Sequence, residues 1–368
     1  MNSSQIKKNG VLKHSGNNVF SNIGDWIQSI AQEQFYEQVE TYVERESLDT
    51  IHSDRSINLI MNGWFMYHPE CFPPAPCINP LFISFHISPT IAQRLLTPEA
   101  VNYLKKYEPI GARDYGTRDI LRQCGIQSYF SGCLTLTLGM KFQSPKRGSD
   151  VLFVDPYYEF GCGHGHHVKN ADVYYSFLYL FLHPFNVLRI SSKFIVTRKS
   201  NISRFSSRLD KLLWCASFYH SYSKVFDSQL LRNASYITHK CLQIDYKTDD
   251  LKMTRARELV SKYASAHLCV TSRLHCALPC LGLETPVIFV EHRSLQKGRY
   301  SGRFDGLTDM LHKLEWTMKG FVCKSEQLSI ILNHGKINYR SEIINPSDYK
   351  HVTKKLIETV SSWIKNNR

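Results

Sequence analysis

The sequence predicts an α/β protein made of two Rossmann-like domains facing a cleft, a GT-B-like architecture. Three observations predict it. Helical patterns alternate with short apolar, β-branched runs, the rhythm of a parallel sheet covered by helices. That rhythm stops at a polar segment, Lys141 to Asp150, and restarts at a fresh apolar run, VLFV. The chain's 368 residues exceed one ordinary core, and 43% apolar content, which includes aromatics at 12% of the chain, supplies two.

The elements follow in order. DWIQSIAQEQFY, Asp25 to Tyr36, has helical spacing. Ile57 to Met61 and Leu81 to Phe85 read as buried strands. Pro98 to Tyr107 is a helix, Pro109 to Ala112 a short strand, Gly116 to Cys124 a helix and Gln127 to Phe130 a strand. After the break, Val151 to Val154 is a strand ending in Asp155-Pro156, followed by a helical insertion. Ser235 to Thr238, Leu268 to Thr271 and Val287 to Val290 are strands, each beside a helix. Tyr349 to Ile364 closes the chain as an amphipathic helix. The expected domains are therefore 1–145 and 146–345, with a final helical segment at 346–368.

One stretch bears on location. Val173 to Ile190, VYYSFLYLFLHPFNVLRI, approaches spanning length but is interrupted by His183, Pro184, Asn186 and Arg189. A buried helix ended by a Pro break is expected, with an interfacial helix touching lipid as the alternative. Met1 to Asn18 is polar and has no apolar signal core, so a cytoplasmic protein is expected, with peripheral contact at the inner face of the membrane. The 11 cysteines include no CxxC pair and read as reduced, mostly buried thiols.

The formal charge of +13 favours an anionic partner: nucleic acid, an acidic membrane or a phosphorylated small molecule. No long Lys/Arg run, zinc-finger spacing or RNA-binding signature accompanies it, so no nucleic acid is expected. GCGHGHH, Gly161 to His167, contains ligand types in Cys162, His164, His166 and His167. A flexible Gly loop does not readily present all four on one face; a loop over the cleft, without metal, is expected.

In parallel α/β sheets, ligands sit at the carboxyl ends of the strands. The richest such end is AHLCVTSRLHCALPCLGLETPVIFVE, Ala266 to Glu291, where a strand runs into Ser272, Arg273 and His275 and then an apolar helix, Cys276 to Leu283. A helix amino end attracts anions, Arg273 offers a bidentate fork, and His275 can move a proton near neutral pH. The plainer reading is a helix cap. Arg113 also follows a strand and is the second candidate for binding negative charge, with a surface ion pair to Asp114 as its alternative. Asp25 precedes a helix, as a carboxylate for a substrate or as an N-cap. Asn62, after a strand, suits sugar hydroxyls or a turn. His86 and His239 each close a strand, where a histidine is more often structural. Lys297, Arg299 and Arg303 lie in a basic loop, KGRYSGRFDG.

TSRLHCALPCLGLETPVIFVE resembles the C-terminal signature of the polysaccharide pyruvyl transferase family. SNIGDWIQSIAQEQF, IMNGWF, PIGARDYGTRDIL, YFSGCLTLTL, SYITHK and SGRFDGL resemble further elements of that family in the expected order. The resemblance implies transfer of the enolpyruvyl group of phosphoenolpyruvate, a co-substrate with no other cofactor, onto hydroxyls of a surface glycan or its lipid-linked precursor. It also implies that Arg273 and His275 are the donor-site pair, with Ser272, Arg113 and one of Lys297, Arg299 or Arg303 beside them. The 1–145 domain then faces the acceptor, with Asp25, Asn62, His86 and His239 in reach of it, and 146–345 faces the donor. His275 is the acid of that scheme, and Asp25 or His239 the base. A nucleotide-sugar glycosyltransferase of the same architecture, a non-catalytic glycan-binding protein and an inactive relative are the alternatives. The first lacks a clear carboxylate pair for a ribose.

Overall fold

The computed structural model describes residues 7–15, 20–144, 146–157, 170–194, 208–242, 245–292, 302–317 and 320–367. The first half contains β1 (Lys8–Lys13), β2 (Phe20–Asn22), α1 (Ile23–Glu33), β3 (Thr41–Glu44), β4 (Ile57–Ile60), β5 (Gly63–Phe65), β6 (Ile78–Leu81) and β7 (Phe85–Ile87). It continues with α2 (Pro89–Leu95), α3 (Pro98–Lys105), β8 (Ile110–Ala112), α4 (Tyr115–Gln123) and β9 (Ser128–Phe130). Two parallel ladders result, β3-β1-β4-β6 and β5-β7-β8-β9. They act as one bent sheet, because β4 runs into β5 across Met61-Asn62 and β6 into β7 across Phe82 to Ser84.

That bend corrects one expected strand. Leu81 closes β6 and Phe85 opens β7, with Ser84 between them at a left-handed φ of 55°. The Ser84 N–H leaves the ladder and donates to Ser131 Oγ, 3.0 Å away. The polar amino-terminal stretch hides β1: KNGVLK offers only Val11 and Leu12 to the core, yet both are buried in a central strand. Gly10 allows the close approach, since a Cβ there would lie 2.6 Å from Ile57 Cγ2.

The second half contains β10 (Val151–Val154), α5 (Asn170–Leu182), α6 (Pro184–Lys193), α7 (Arg208–Tyr222), α8 (Ser228–Asn233), β11 (Ser235–Ile237), β12 (Lys240–Leu242) and α9 (Asp249–Ser265). It continues with β13 (Leu268–Thr271), α10 (Leu274–Gly282), β14 (Val287–His292), β15 (His312–Thr317), β16 (Gly320–Cys323), α11 (Glu326–His334) and α12 (Asp348–Asn366). Its sheet runs β11-β10-β13-β14-β15-β16, parallel except at the last pair. Both sheets are doubly wound: the chain steps outward from β1 to β3 and from β10 to β11, then back past the starting strand. The crevices at those reversals are where such sheets take ligands.

The expectation of two cores is too simple. One apolar cluster serves each half, centred on Phe65, Phe85 and Ile110 in the first and on Phe153, Phe218 and Val270 in the second. The largest is shared. Trp26, Ile27 and Ile30 of α1 join Leu259, Val260 and Tyr263 of α9 and Leu278 of α10, so the halves are fused along their inner helices. The terminal α12 packs against α10, and Asn367 just beyond it bonds to Asn58 and Asn79 of the first sheet. Gly132 makes room for this helix: a Cβ there would meet Val352 at 2.5 Å.

The stretch Val173 to Ile190 breaks as expected before Pro184, into α5 and α6, but it is not buried: much of its apolar surface faces outward, with Phe181 83% exposed and Phe185 77%. Both helices pack on α7, and α5 is apolar on the side away from it too.

Candidate functional site

The carboxyl ends of the two sheets meet. β2 pairs antiparallel with β12, and the Ile23 N–H at the start of α1 donates to the His239 carbonyl. Lys13 and Ser15, at the end of β1, bind Asp249 at the start of α9 at 2.5 and 3.3 Å. At the far side, the Tyr115 N–H donates to the Asp305 carbonyl. Glycines are required at two of these seams. A Cβ on Gly24 would sit 2.8 Å from His275 Nδ1, and one on Gly116 would sit 2.8 Å from Gly302 Cα. The glycines of the NIGD, YGTRD and SGRFD runs are thus explained by close approach between halves.

Between these seams lies a buried cationic cluster. Arg113 leaves the end of β8 and is 0% exposed, and among the described residues none of its Nε, Nη1 and Nη2 atoms has a hydrogen-bond partner. Its countercharge among them is Asp114, with Oδ2 at 3.4 Å. That carboxylate is shared: the same oxygen is 2.7 Å from His86 Nδ1, and Oδ1 caps α4 by accepting the Thr117 N–H and hydroxyl. Burial opposes ionisation of Asp114, yet His86 and Arg113 hold it below the usual carboxylate range. The Arg113–Asp114 pair is therefore fully interior, where sequence offered a surface pair as the alternative to anion binding.

Two imidazoles face this cluster unpartnered. His86 Nε2 and His275 Nε2 are buried without a hydrogen bond. Burial, and after it the Arg113 guanidinium, pushes His86 down to about 4. His275, on the first turn of α10, is held well below the ordinary histidine range by burial first, then by Arg113 and Arg303. Arg113, His86, Arg303 and His275 therefore lie within electrostatic reach of one another. Buried charges and polar groups are normally satisfied, and donors grouped in this way suit hydrogen-bond acceptors carrying negative charge.

The other expected residues are used differently. Arg273 is the N-cap residue of α10, but its side chain is turned aside: Nε donates to Asp155 Oδ2 at 2.9 Å, and the side chain is 40% exposed. Asp155, at φ 41° beyond β10, also accepts the His239 N–H, and against the cost of burial Arg273 and His239 hold it below its usual range. The Ser272 hydroxyl is committed to structure, donating to the Val290 carbonyl and accepting from the Tyr157 N–H. His239 points into the core, with Nε2 2.6 Å from the Tyr263 hydroxyl, and burial lowers its pKa.

Asp25 is not the N-cap of α1; Asn22 is, accepting the Gly24 N–H. Asp25 sits half-buried on the first turn, one residue from the Gly24–His275 contact, accepting from Gln28 at 3.1 Å. Asn62 is buried, bound through Oδ1 to Gln32, while its Nδ2 has no partner. Arg303 lies beside the imidazoles as noted; Lys297, Arg299 and the GCGHGHH run lie outside the described residues.

Sequence reasoning missed an aromatic shelf. Trp64 pairs across the sheet with His86, one strand spacing away, and Tyr67 packs edge-on to it at 4.4 Å. Arg45 covers Trp64 at 5.3 Å, and Glu46 fixes the turn by accepting the Tyr67 and His68 N–H groups. His14 stands 5.5 Å from Tyr67, which is 63% exposed. The NGWFMY run carried the signal: aromatic residues directly after a strand. Among the described residues, metal-type ligands gather only at Cys269, Cys276 and Cys280, with sulfurs within 4.8 Å. They are core thiols of the shared apolar cluster, and burial keeps Cys269 and Cys280 protonated.

Fold and site together define an α/β protein with parallel sheets and a buried cationic cluster at facing strand ends. The chain belongs to the polysaccharide pyruvyl transferase family, whose sequence model matches residues 17–294. It is thus a transferase of a family that acts on glycans. No curated protein matches the chain at significance. Among the described residues, no helix is long and apolar enough to cross a membrane.

Proposed function

We propose that the protein transfers the enolpyruvyl group of phosphoenolpyruvate onto two hydroxyls of a glycan sugar, forming a cyclic pyruvate ketal and releasing phosphate. The observation that supports this reading is Arg113, a wholly buried guanidinium whose three nitrogens make no hydrogen bond among the described residues, beside two imidazoles whose Nε2 atoms make none either. A compact donor bearing both carboxylate and phosphate supplies acceptors for all of them.

The chemistry needs a proton at C3 of the donor, which makes C2 electrophilic. One sugar hydroxyl then adds at C2 and loses its proton; a second hydroxyl displaces phosphate at the same carbon and loses its own. His275 is the acid in this scheme. Burial and its cationic neighbours keep it neutral in the free protein. The arriving anion reverses that field, so donor binding and protonation of His275 occur together. Asp25, next to Gly24 at the His275 contact, is the carboxylate placed to take a hydroxyl proton. His239 is spent on Tyr263 and supports Asp155 instead. Arg113, Arg303 and Arg273 stabilise the departing phosphate, Arg273 after swinging from Asp155.

The acceptor lies along the shelf. The C–H face of a pyranose packs on Trp64 and Tyr67, with Asn62 Nδ2 as a free donor. A sugar there is one strand from His86 and the donor pocket. The reaction is placed at the cytoplasmic face of a membrane that carries the growing glycan, with no cofactor beyond the donor.

The test is direct. Purified protein incubated with phosphoenolpyruvate and a panel of acceptor glycosides should release phosphate and add one pyruvate, less one water, to an acceptor. A thermal shift with nucleotide sugars and none with phosphoenolpyruvate would overturn this reading in favour of a glycosyltransferase.

A further inference from the structure

We propose that the α5–α6 hairpin docks the protein onto an anionic lipid surface. The observation is an apolar patch that folding leaves outside. Tyr174, Phe177, Phe181, Leu182, Phe185 and Leu188 are all exposed, Phe181 at 83% and Phe185 at 77%. They lie on two consecutive helices broken only at His183. Isolated apolar residues on a surface are ordinary, but a contiguous set of aromatic and leucine side chains marks a contact surface.

Three features select lipid over a protein partner. The set is dominated by Phe, Tyr and Leu, the side chains that settle at the boundary between headgroups and acyl chains. The hairpin cannot span a bilayer, since α5 has 13 residues and α6 has 10. The sequence there is mostly basic: from Asn170 to Lys211 it carries seven Lys or Arg residues against two acidic ones, Asp172 and Asp210. Arg189 is exposed on α6 itself, and Lys193, Arg208 and Lys211 follow. Insertion of a few rings with attraction of several cations to acidic headgroups gives reversible binding that salt weakens.

The insertion grows from β10, whose carboxyl end carries Asp155 beside Arg273. A docked hairpin therefore holds the strand ends near a surface where a lipid-linked glycan resides. The docking itself rests on the patch and its charge, not on pyruvyl transfer, and either can fail without the other.

Co-sedimentation of the full chain with vesicles tests it. Vesicles containing phosphatidylglycerol should capture the protein, pure phosphatidylcholine vesicles far less, and added salt should release it. The double substitution Phe181→Glu and Phe185→Glu should weaken capture at least ~tenfold, given what each buried Phe contributes. The exposed positions of both residues leave the melting temperature and phosphate binding unchanged. A second variant, Arg189→Glu with Lys193→Glu, should weaken capture on acidic vesicles only. Equal capture of wild type and both variants would overturn the proposal. So would a wild-type dimer in light scattering that the Phe substitutions convert to monomer, which assigns the patch to a second copy.

Discussion

Arg113 and Arg273 occupy equivalent places, each at the carboxyl end of a parallel strand beside a helix start, and the structure treats them in opposite ways. Arg273 is half-exposed and held by Asp155 at 2.9 Å. Arg113 is wholly buried, with its nitrogens unpartnered and its single countercharge shared with His86. A satisfied surface cation contributes little and is easily moved. A dissatisfied interior cation costs several kcal/mol, and a fold retains it when a ligand repays that cost. On the proposed reading, binding energy is stored on the first sheet rather than at the helix start that looked richest.

The sharpest way to break this contrast is substitution at both places. Arg113→Met should cut phosphate release by about 10³–10⁵, as loss of an arginine that meets phosphoryl charge does. The same change leaves Asp114 as a buried carboxylate beside a neutral His86, so unfolding free energy should fall by about 3–5 kcal/mol. Arg273→Met should cost less activity, about 10²-fold, and little stability, because its pair is already solvated. Kinetics with chemical denaturation on both variants checks it. Equal losses of activity, or equal changes in stability, in the two variants would remove the distinction.

His275→Gln sharpens it further. The amide keeps shape and a donor but cannot deliver a proton, so turnover should fall about 10²–10⁴-fold. Donor affinity, read by calorimetry, should change only severalfold because Arg113 remains. A variant that loses donor affinity but turns over normally would make His275 a binding group alone.

Acid sensitivity follows from the same burial. His86 is pushed down to about 4, and His275 and His239 lie below their ordinary range as well. The unfolded chain takes up protons near pH 6.5 that the folded chain refuses until lower pH. Stability is therefore complete above pH 6.5 and falls as pH drops from there toward 4. Each such histidine contributes a slope of about 1.4 kcal/mol per pH unit. Phosphoenolpyruvate should flatten the slope, since its charge makes the folded imidazoles easier to protonate. Arg113→Met should flatten it too, for the opposite reason that a repelling cation is gone. Denaturation midpoints across that range are the readout; a flat profile without ligand would show that the imidazoles are not buried as described.

Much of this was legible in sequence, and the gaps have physical causes. Strands such as Val151–Val154 and Leu268–Thr271 are apolar runs buried on both faces, and their limits were read without error. β1 was invisible because Lys8–Lys13 inserts only two apolar side chains into a central position. The place of Arg113 after a strand was legible, but nothing local to ARDYGT states that its partner is interior; burial is set in part by residues more than a hundred positions away. The pairing of Arg273 was hidden for a similar reason, since Asp155 reaches it across the switch point of the sheet. The Trp64–Tyr67 shelf was passed over because the neighbouring Asn62-Gly63 drew attention as a turn.

The smallest expected effect separates Arg303 from Arg113. Arg303 is brought to the imidazoles by a loop from the second half, and that loop docks through Gly302 against Gly116 on α4. A methyl at position 116 would meet Gly302 backbone at 2.8 Å, so Gly116→Ala must push the loop away from the first half. Arg113, anchored on β8, does not move with it. The expected result is a rise of a few-fold in KM for the donor with kcat little changed, the pattern of lost uniform binding. Titrating donor at saturating acceptor decides it. If kcat falls as steeply as in Arg113→Met, the loop's arginine is as central as the interior one, and the storage of binding energy in the first sheet would have to be shared between the halves.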